Sequence, residues 1–437
     1  MIANLKENKR ILIISAMFFP QPAVGAVRIT QWCRYLPDFG WEPTVFCRYY
    51  GHRATPEMLR EKVHPSVKVE YINPPRDDAE MVATHKPRPL PWWKSAIARS
   101  PLSQWPVPDF AQTFWRGARD KVMAMVERLR PDAILTTSPP HGIHDLGLWL
   151  SQQVDIPWIA DFRDPYLIDP RYRPRGLGQL RRSAHKDYER QIYERAALIV
   201  HAIPVQARWA RRAYPSARAR IVTLTNGCPT ELADGSIKPL AGANGRRVIC
   251  VVGAIARREA SGLVKAVAEL AQDGSDLELR LVGNPPERAE RLKAELGERL
   301  VVVGPVRHDQ ALRHIVSADV LICTLDAVRS RGLGLSSKLF EYLSVGKPVV
   351  VINPTASDQR FLRNFQGVSV LDSPGANELR VALQWALDPR SAPPLEQAHK
   401  FKKEFDRRTQ TAQLAAWLNE LTRRSESPTS ELSYTES

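Results

Sequence analysis

The densest group of residues suited to phosphate chemistry lies in the last third of the chain. Ser336 and Ser337 are expected to cap a helix, and Lys338 stands in its first turn. The helix dipole disfavours a cation at this end, so a lysine there suggests that an anion docks beside it. Glu341 follows one turn later, and a basic, glycine-containing loop with Arg331 precedes the helix. Backbone N–H groups and cations in this arrangement predict a cradle for a diphosphate.

A second candidate anion site follows the first predicted strand. Gly25 stands at a turn before a predicted helix, and Arg28 lies in the first turn of that helix. The free N–H groups of a helix N-terminus bind anions. The G-x-G-x-x-G pattern is absent, so a plain tight turn is the alternative to a phosphate site.

Histidines and carboxylates follow two later predicted strands. His141 and His144 share one face of a helix start, and Asp161 and Asp164 flank Arg163. Open α/β sheets bind ligands at the carboxyl ends of their strands, which favours a role for these residues in the site. A carboxylate there would serve as a base or hold an acceptor hydroxyl. The alternatives are packing or capping histidines and a structural salt bridge to Arg163.

Metal and redox chemistry have little support in the sequence. There is no Asp-x-Asp, no Cys/His cluster and no P-loop, so we expect no metal and no other cofactor. Five scattered cysteines without a C-x-x-C favour a reducing compartment. The start of the chain mimics a signal peptide, but Glu7 and the helical pattern that follows favour a first β-strand. No apolar run reaches the roughly 18–20 residues that would span a bilayer.

Short β-rich runs alternate with helical patterns along the whole chain. This alternation predicts an α/β fold of two doubly wound, Rossmann-like domains with parallel sheets. The predicted parts, in chain order, are an N-terminal domain at 1–228, a linker at 229–245, a C-terminal domain at 246–395, a final amphipathic helix at 396–424 and a disordered tail at 425–437.

The net charge of +15 is unevenly distributed. Residues 1–220 hold 34 basic and 21 acidic residues, which places +13 of the excess there. Either an anionic partner or an arginine-rich composition explains it. The insert at 74–108 carries eight prolines, three tryptophans and several cations, and predicts either a surface loop or a flap at a lipid headgroup layer. The basic residues are dispersed and no recognised module appears, so we expect no nucleic acid partner.

These segments together resemble the retaining nucleotide-sugar glycosyltransferases of family 4, which have the two-domain GT-B fold. The resemblance rests on FFPQPAVGAVR, SPPHGIH, ADFRDP, TNG at 225–227 and KLFEYLSVGKPVV, which occur in the expected order. DFRDP and KLFEYL are most similar to enzymes that build bacterial surface polysaccharides. The resemblance implies a deep interdomain cleft and a C-terminal helix that crosses back onto the first domain.

The resemblance also implies roles for the candidate residues. The C-terminal domain would bind a UDP- or GDP-sugar, with Glu341 on the ribose hydroxyls and Gly304 in the segment that faces the base. Gly25 would contact the donor diphosphate. The N-terminal domain would bind the acceptor. The residues placed near the sugar or acceptor are His141, His144, Asp161 and Asp164.

Two departures from the family pattern affect the donor site. Of the two glutamates of Glu-x7-Glu, the second matches Glu341, but the first position holds Leu333. The Arg and Lys after the first strand of the C-terminal domain fall on Ala254 and Ser261. Four cations could take their place: Arg257, Arg258, Arg331 and Lys338.

The sequence therefore predicts a cytoplasmic glycosyltransferase at the inner face of the plasma membrane. It would transfer a sugar to a polyprenyl-diphosphate-linked glycan in polysaccharide or lipopolysaccharide synthesis, without a metal. One alternative is a non-catalytic GT-B protein that binds a glycan or a partner. A second alternative is a nucleotide-sugar epimerase of similar fold.

Overall fold

A computed structural model describes most of the chain, which forms two compact units. Unit 1 comprises residues 1–225 and 410–437, and unit 2 comprises residues 226–409. The described residues are 8–21, 24–49, 59–60, 62–72, 106–167, 176–240, 245–283, 289–325 and 335–426. Arg331, Leu333, most of the predicted insert and the residues after 426 lie outside them.

Seven parallel strands form the sheet of unit 1 among its described residues, in the order β3-β2-β1-β4-β5-β6-β7. They are β1 (Lys9–Ser15), β2 (Trp41–Arg48), β3 (Lys68–Ile72), β4 (Ala133–Ser138), β5 (Trp158–Phe162), β6 (Leu198–His201) and β7 (Arg220–Thr223). Successive residues from Ile11 to Ser15 are all buried, because helices cover both faces of the sheet. Such strands read as continuous apolar runs, which is why their positions are visible in the sequence.

Helices connect these strands and cover the sheet. They are α1 (Val24–Tyr35), α2 (Ala111–Arg116), α3 (Arg119–Leu129), α4 (His144–Gln153), α5 (Arg182–Arg195) and α6 (Pro204–Ala213). A short 3-10 turn, His141–Ile143, lies between β4 and α4. Strand order reverses direction between β1 and β4, so the segments after these two strands diverge at the carboxyl edge, where ligands bind in open α/β sheets.

Unit 2 repeats this architecture with six parallel strands among its described residues, in the order β10-β9-β8-β11-β12-β13. The strands are β8 (Arg247–Val252), β9 (Leu277–Val282), β10 (Leu300–Gly304), β11 (Val320–Thr324), β12 (Val349–Ile352) and β13 (Val368–Leu371). The helices are α7 (Thr230–Ala233), α8 (Arg257–Gln272), α9 (Ala289–Leu296), α10 (His308–Val316), α11 (Ser337–Ser344), α12 (Ala356–Leu362), α13 (Ala376–Leu387) and α14 (Leu395–Phe405). The predicted fold class is confirmed.

The last helix, α15 (Arg407–Glu426), begins in unit 2 and packs into the core of unit 1. Its Leu414, Trp417 and Leu418 are buried with Ile29 and Trp32 of α1. The predicted return of the chain to the first domain is therefore present. The structure breaks the single predicted helix into α14 and α15 at Asp406, whose carboxylate accepts the Thr409 N–H at 3.0 Å and so caps the new helix.

Candidate functional site

Asp161, at the end of β5, forms a buried ion pair with Arg28 of α1. Its two oxygens accept from Arg28 Nη2 at 3.0 Å and Nε at 3.3 Å, and a third bond of 2.7 Å comes from Thr137. Arg28 also donates to the Thr225 carbonyl at 2.8 Å, and its guanidinium lies 4.4 Å from the Trp32 ring centroid. The salt bridge to Arg163, which the sequence left open as an alternative, does not form at Asp161. Protein groups occupy three of about four acceptor positions of Asp161 and three of the five N–H groups of Arg28, which favours a structural role for both side chains.

Arg163 instead connects its own segment to two others by donating hydrogen bonds to their backbone carbonyls. Its Nε donates to Ser138 at 2.9 Å, its Nη2 to Pro139 at 2.7 Å, and its Nη1 to Gly25. A side chain at Gly25 would collide with this guanidinium, which explains the glycine without reference to a ligand. The Gly25 N–H lies in the first turn of α1, where no intrahelical acceptor is available. The predicted contact of Gly25 with a diphosphate thus stays a prediction.

His141 and His144 are core residues of unit 1. Both are fully buried. His144 is hydrogen-bonded through Nδ1 to Thr136 at 2.8 Å and through Nε2 to Ser138 at 2.9 Å. Burial, followed by nearby positive groups, holds the pKa of His144 well below its usual value, so the ring is neutral. Since neither ring is exposed, the structure favours the packing alternative, and contact with a sugar would require this segment to open.

Asp164 is the one predicted carboxylate of this segment with partial solvent access, whereas Asp161 has none. It therefore remains the candidate for an acceptor hydroxyl. Within the described parts of the chain, no three His, Cys, Asp or Glu side chains come together as a group that could hold a metal ion.

A buried polar cluster lies beneath this edge, and the sequence offered no signal for it. Glu189 of α5 accepts from the Tyr214 hydroxyl at 2.6 Å and from the Leu167 N–H at 3.4 Å. Tyr193 and His201 share a 2.9 Å hydrogen bond beside it. Burial raises the pKa of Glu189 to about 7. In the sequence, Glu189 is only one of several charged residues of α5, and nothing indicates that it is buried.

In unit 2, two glycines and a lysine meet where β8 and β9 end. Gly253 and Gly283 have φ values of +99° and +115°, a region that L side chains rarely adopt. A Cβ on Gly283 would lie 3.0 Å from the Gly253 backbone, and one on Gly253 would lie 2.5 Å from Lys338 Nζ. Lys338 Nζ thus lies directly over a stretch of backbone that carries no side chain. Among the residues the structure describes, no carboxylate lies within ion-pair distance of its Nζ.

The start of α11 differs in detail from the prediction. Ser336 occupies the N-cap position, but its hydroxyl makes no capping bond, and its N–H donates to Asp358 at 3.3 Å. Ser337 begins the helix. The Tyr342 hydroxyl accepts the Val252 N–H at 3.1 Å, which joins α11 to the end of β8. This contact places Lys338 and Glu341 at the carboxyl edge of the sheet.

Glu341 is buried, and two ionisable side chains approach the same carboxylate oxygen. His308 Nε2 lies 3.5 Å from Oε1, and Arg407 Nη2 lies 3.9 Å from it. Sequence reasoning missed both. His308 follows the segment expected to face the base, and Arg407 begins the last helix, but nothing in their spacing connects either to Glu341.

Three more predicted donor residues lie in the described part of unit 2. Arg257 and Arg258 are exposed in the first turn of α8, and Arg258 donates to the Ser373 carbonyl at 3.2 Å. Gly304 ends β10 with φ +78°, and its carbonyl accepts the Gly283 N–H at 2.8 Å. The structure thus brings Lys338 to the strand ends, with Arg257 and Arg258 at a neighbouring helix start.

Two family models match the chain. The model described as "Glycosyl transferase 4-like domain" matches residues 25–227, and the one described as "Glycosyl transferases group 1" matches residues 246–373. The first match covers β2 to β7 of unit 1, and the second covers all six described strands of unit 2. A comparison with curated protein sequences found no significant match.

Solved structures share the fold at low sequence identity. A sucrose-phosphate synthase from Thermosynechococcus elongatus is 19% identical, with a TM-score of 0.64 over 95% of this chain and 100% of that one. Anabaena HepE, solved with UDP and glucose, is 16% identical, with a TM-score of 0.54 over 94% and 100%. A UDP-GlcNAc 2-epimerase from Neisseria meningitidis bound to UDP-GlcNAc is 10% identical, with a TM-score of 0.55 over 94% and 100%. Among the described helices, none combines the length and hydrophobicity that crossing a bilayer requires.

Proposed function

Because this chain is a glycosyltransferase with the two-domain GT-B fold, we propose that it transfers a sugar from a UDP- or GDP-sugar to a hydroxyl of a lipid-linked glycan, with retention. One observation carries the donor half of the proposal: Gly253, Lys338 and Glu341 converge at the carboxyl edge of the unit 2 sheet. The bare backbone and the cation suit the diphosphate of a nucleoside diphosphate, and the buried carboxylate suits its ribose hydroxyls.

Each donor residue has a distinct proposed role. Negative charge develops on the diphosphate as the sugar–phosphate bond breaks, and Lys338 with the N-terminus of α8 would stabilise it where it forms. Arg257 and Arg258 would add charge at that helix start. Glu341 would accept hydrogen bonds from the ribose hydroxyls, and the backbone around Gly304 would face the base. No metal is needed when fixed cations stabilise the charge that develops on the diphosphate.

On the acceptor side, Asp164 is the proposed contact of the acceptor hydroxyl. With retention, the leaving phosphate itself can take the acceptor proton, so no protein nucleophile is required. Gly25 stays the proposed contact of the N-terminal domain with the donor diphosphate. His141, His144 and Asp161 would support this edge by packing beneath it.

The decisive experiment measures nucleotide binding by calorimetry with UDP, GDP and their sugars. We expect one nucleotide to bind, and Glu341→Gln to weaken it about tenfold, the equivalent of one charged hydrogen bond. Glu295→Gln, an exposed carboxylate of α9, is the matched control and should leave affinity unchanged. Binding of neither nucleotide to the wild-type chain would favour a non-catalytic GT-B protein.

Turnover separates transfer from epimerisation. A transferase consumes the donor only when an acceptor such as a polyprenyl-diphosphate glycan is present. An epimerase converts UDP-GlcNAc without any acceptor. Acceptor-independent interconversion of the sugar would replace the proposal with the epimerase alternative.

The proposed setting is the inner face of the plasma membrane, where lipid-linked glycans of bacterial polysaccharide or lipopolysaccharide synthesis would be extended. An arginine-rich surface of unit 1 supports it. Residues 195–230 contain six arginines and no acidic residue. Three of them, Arg208, Arg212 and Arg218, are exposed and have no acidic partner in the described part of the chain. Such a surface attracts anionic headgroups.

Vesicle binding tests this setting. Vesicles containing phosphatidylglycerol should bind the protein at low salt, and vesicles of phosphatidylcholine should not. Replacing Arg208, Arg212 and Arg218 by glutamine should cost about 1 kcal/mol of binding free energy per arginine. The control replaces three exposed arginines of unit 2, namely Arg291, Arg363 and Arg408. Equal losses in both triple variants would show that overall charge, and not this surface, is responsible.

A further inference from the structure

We infer that Arg407 is a positioning residue that holds the Glu341 carboxylate in place for the donor ribose and connects it to the segment 226–228. The inference rests on the proposed function, because it takes Glu341 as the carboxylate that binds the ribose hydroxyls. It also gives a role to the TNG motif at 225–227, which the donor and acceptor residues leave unused.

Arg407 is suited to this role by its burial and its distance. Its side chain is 6% exposed, that of Glu341 is 9% exposed, and Nη2 lies 3.9 Å from Oε1. A buried carboxylate needs a compensating charge or hydrogen bonds to stay ionised. At 3.9 Å the guanidinium supplies the charge without occupying the oxygen in a short hydrogen bond. Glu341 therefore keeps its capacity to accept from a ligand.

The backbone around Arg407 is fixed by the segment 226–228. The Arg407 N–H donates to the Cys228 carbonyl at 3.1 Å, and the Cys228 N–H donates to the Phe405 carbonyl at 2.7 Å. Arg407 Nε also lies 3.5 Å from the Asn226 carbonyl oxygen. These contacts make a short parallel bridge between two chain segments that are about 180 residues apart in sequence. Gly227, with φ +66°, allows the turn that brings the carbonyls of Asn226 and Cys228 to Arg407.

Asp406 fixes the neighbouring position. Its carboxylate accepts from the Thr230 hydroxyl at 2.6 Å and from the Thr409 N–H at 3.0 Å. The residue before Arg407 is thereby tied to α7, and the residues after it begin α15. The Cα of Arg407 has little freedom as a result.

His308, the other side chain near Glu341, contrasts with Arg407. Its side chain is 56% exposed and it lies at the first position of α10. An exposed imidazole can move aside when a ligand enters, whereas a buried guanidinium held through its backbone cannot. Of the two neighbours, Arg407 is therefore the one that can hold the Glu341 carboxylate in position.

A double-mutant cycle tests whether Arg407 acts through Glu341. The variants are Arg407→Met, Glu341→Gln and both together, with affinity for UDP and GDP measured by calorimetry. We expect Arg407→Met to weaken nucleotide binding about tenfold, within the range measured for residues in contact. In the Glu341→Gln background the same change should cost nothing further. A purely structural role for Arg407 would give losses that multiply.

Further readouts separate positioning from folding. Arg408→Met, the exposed neighbour, is the matched control and should bind as the wild type does. Arg407→Lys keeps the charge and should recover part of the loss, and it replaces Arg407→Met if that variant does not fold. In turnover, KM for the donor should rise while kcat changes little. With a 2′,3′-dideoxy nucleotide, the difference between wild type and Arg407→Met should vanish.

The outcomes distinguish the inference from the function on which it rests. If the wild-type chain binds no nucleotide, the proposed function fails. If it binds one and Glu341→Gln weakens it, but the Arg407 variants bind as tightly as the wild type or lose affinity equally in both backgrounds, only the positioning role of Arg407 is overturned.

Discussion

The carboxylates at the two sheet edges differ in how fully protein groups occupy their oxygens. In unit 1, Asp161 is fully buried and accepts three hydrogen bonds of 2.7 to 3.3 Å from Arg28 and Thr137. In unit 2, Glu341 meets its two partners only at 3.5 and 3.9 Å, and one of them, His308, is 56% exposed. A carboxylate offers about four acceptor positions. Asp161 has used most of them on the protein, whereas Glu341 has not.

This difference separates scaffold from ligand-binding residues within one repeated architecture. Both carboxylates lie at the carboxyl edge of a parallel sheet, where ligands are expected. The edge alone therefore does not identify a binding residue. What distinguishes Glu341 is that its neighbours compensate its charge without saturating its oxygens.

The largest expected effect is on the stability of unit 1. Asp161→Asn leaves Arg28 buried without a counter-charge, and we expect a loss of about 3–5 kcal/mol in the free energy of unfolding. Urea titration followed by tryptophan fluorescence measures it, because ten of the eleven tryptophans belong to unit 1. A Trp385→Phe background restricts the signal to that unit.

Asp164→Asn is the control for Asp161→Asn, because Asp164 is only partly buried. We expect it to change the unfolding free energy by less than about 1 kcal/mol. Similar losses of unfolding free energy in the two variants would show that the buried hydrogen bonds of Asp161 do not distinguish it from the partly exposed Asp164.

A somewhat smaller effect should appear in the pH dependence of the same unfolding transition. The pKa of Glu189 is about 7 in the folded chain, against an ordinary value of 4.5. The folded state thus keeps this proton where the unfolded state has lost it, so the contribution of Glu189 to stability is lost as pH rises from 4.5 to 7. At 1.36 kcal/mol per pKa unit, the loss is about 3 kcal/mol.

Glu189→Gln mimics the protonated side chain and should remove this dependence. We expect the variant to match the wild type near pH 5 and to be more stable than it at pH 8. The difference between the two proteins cancels the titration of other buried groups such as His144. A variant less stable than the wild type by the same amount at both pH values would show that Glu189 takes up no proton on folding.

The smallest expected effect concerns unit 2 and leaves the fold intact. Gly253→Ala and Gly274→Ala both place a Cβ at positive φ, +99° and +92°, and each should cost about 1–2 kcal/mol of stability. Only the Cβ at 253 displaces Lys338, since nothing lies within 4 Å of the one at 274. Nucleotide affinity should therefore fall about tenfold in Gly253→Ala alone. Equal nucleotide affinities in the two variants would show that Lys338 does not contribute to donor binding.

Much of the fold was predictable from the sequence. The alternation of leucines with Glu278 and Arg280 at 277–282 predicts a strand, and β9 spans the same residues, with the two charged side chains paired with each other. The apolar pattern over 110–129 predicts a single helix, but the structure has α2 and α3 there, since the chain turns at Gly117 between them. A local apolar pattern does not reveal such breaks when the residues on both sides favour a helix.

The candidate site was predictable only in part. Lys338 and Glu341 were found because one helix start carries both, and helix geometry sets their spacing. The sequence did not identify the partner of Asp161, because Arg163 is two residues away whereas Arg28 is 133 residues away. Arg407 is 66 positions from Glu341 in the chain, and no short-range pattern connects them.

Periodicity and apolar runs alone were sufficient to establish two parallel-sheet domains, because hydrophobic burial follows the repeat of a helix or a strand whatever its partners are. The partner of each charged side chain depended on the folded chain. Strand order leaves only β4 between β1 and β5, so that Arg28 of α1 reaches Asp161, and the bridge at Cys228 brings Arg407 to Glu341. Hydrogen bonds form only within about 3.5 Å and exposed charges interact only over about 10 Å, so residues distant in sequence acquire their roles only when the chain brings them together.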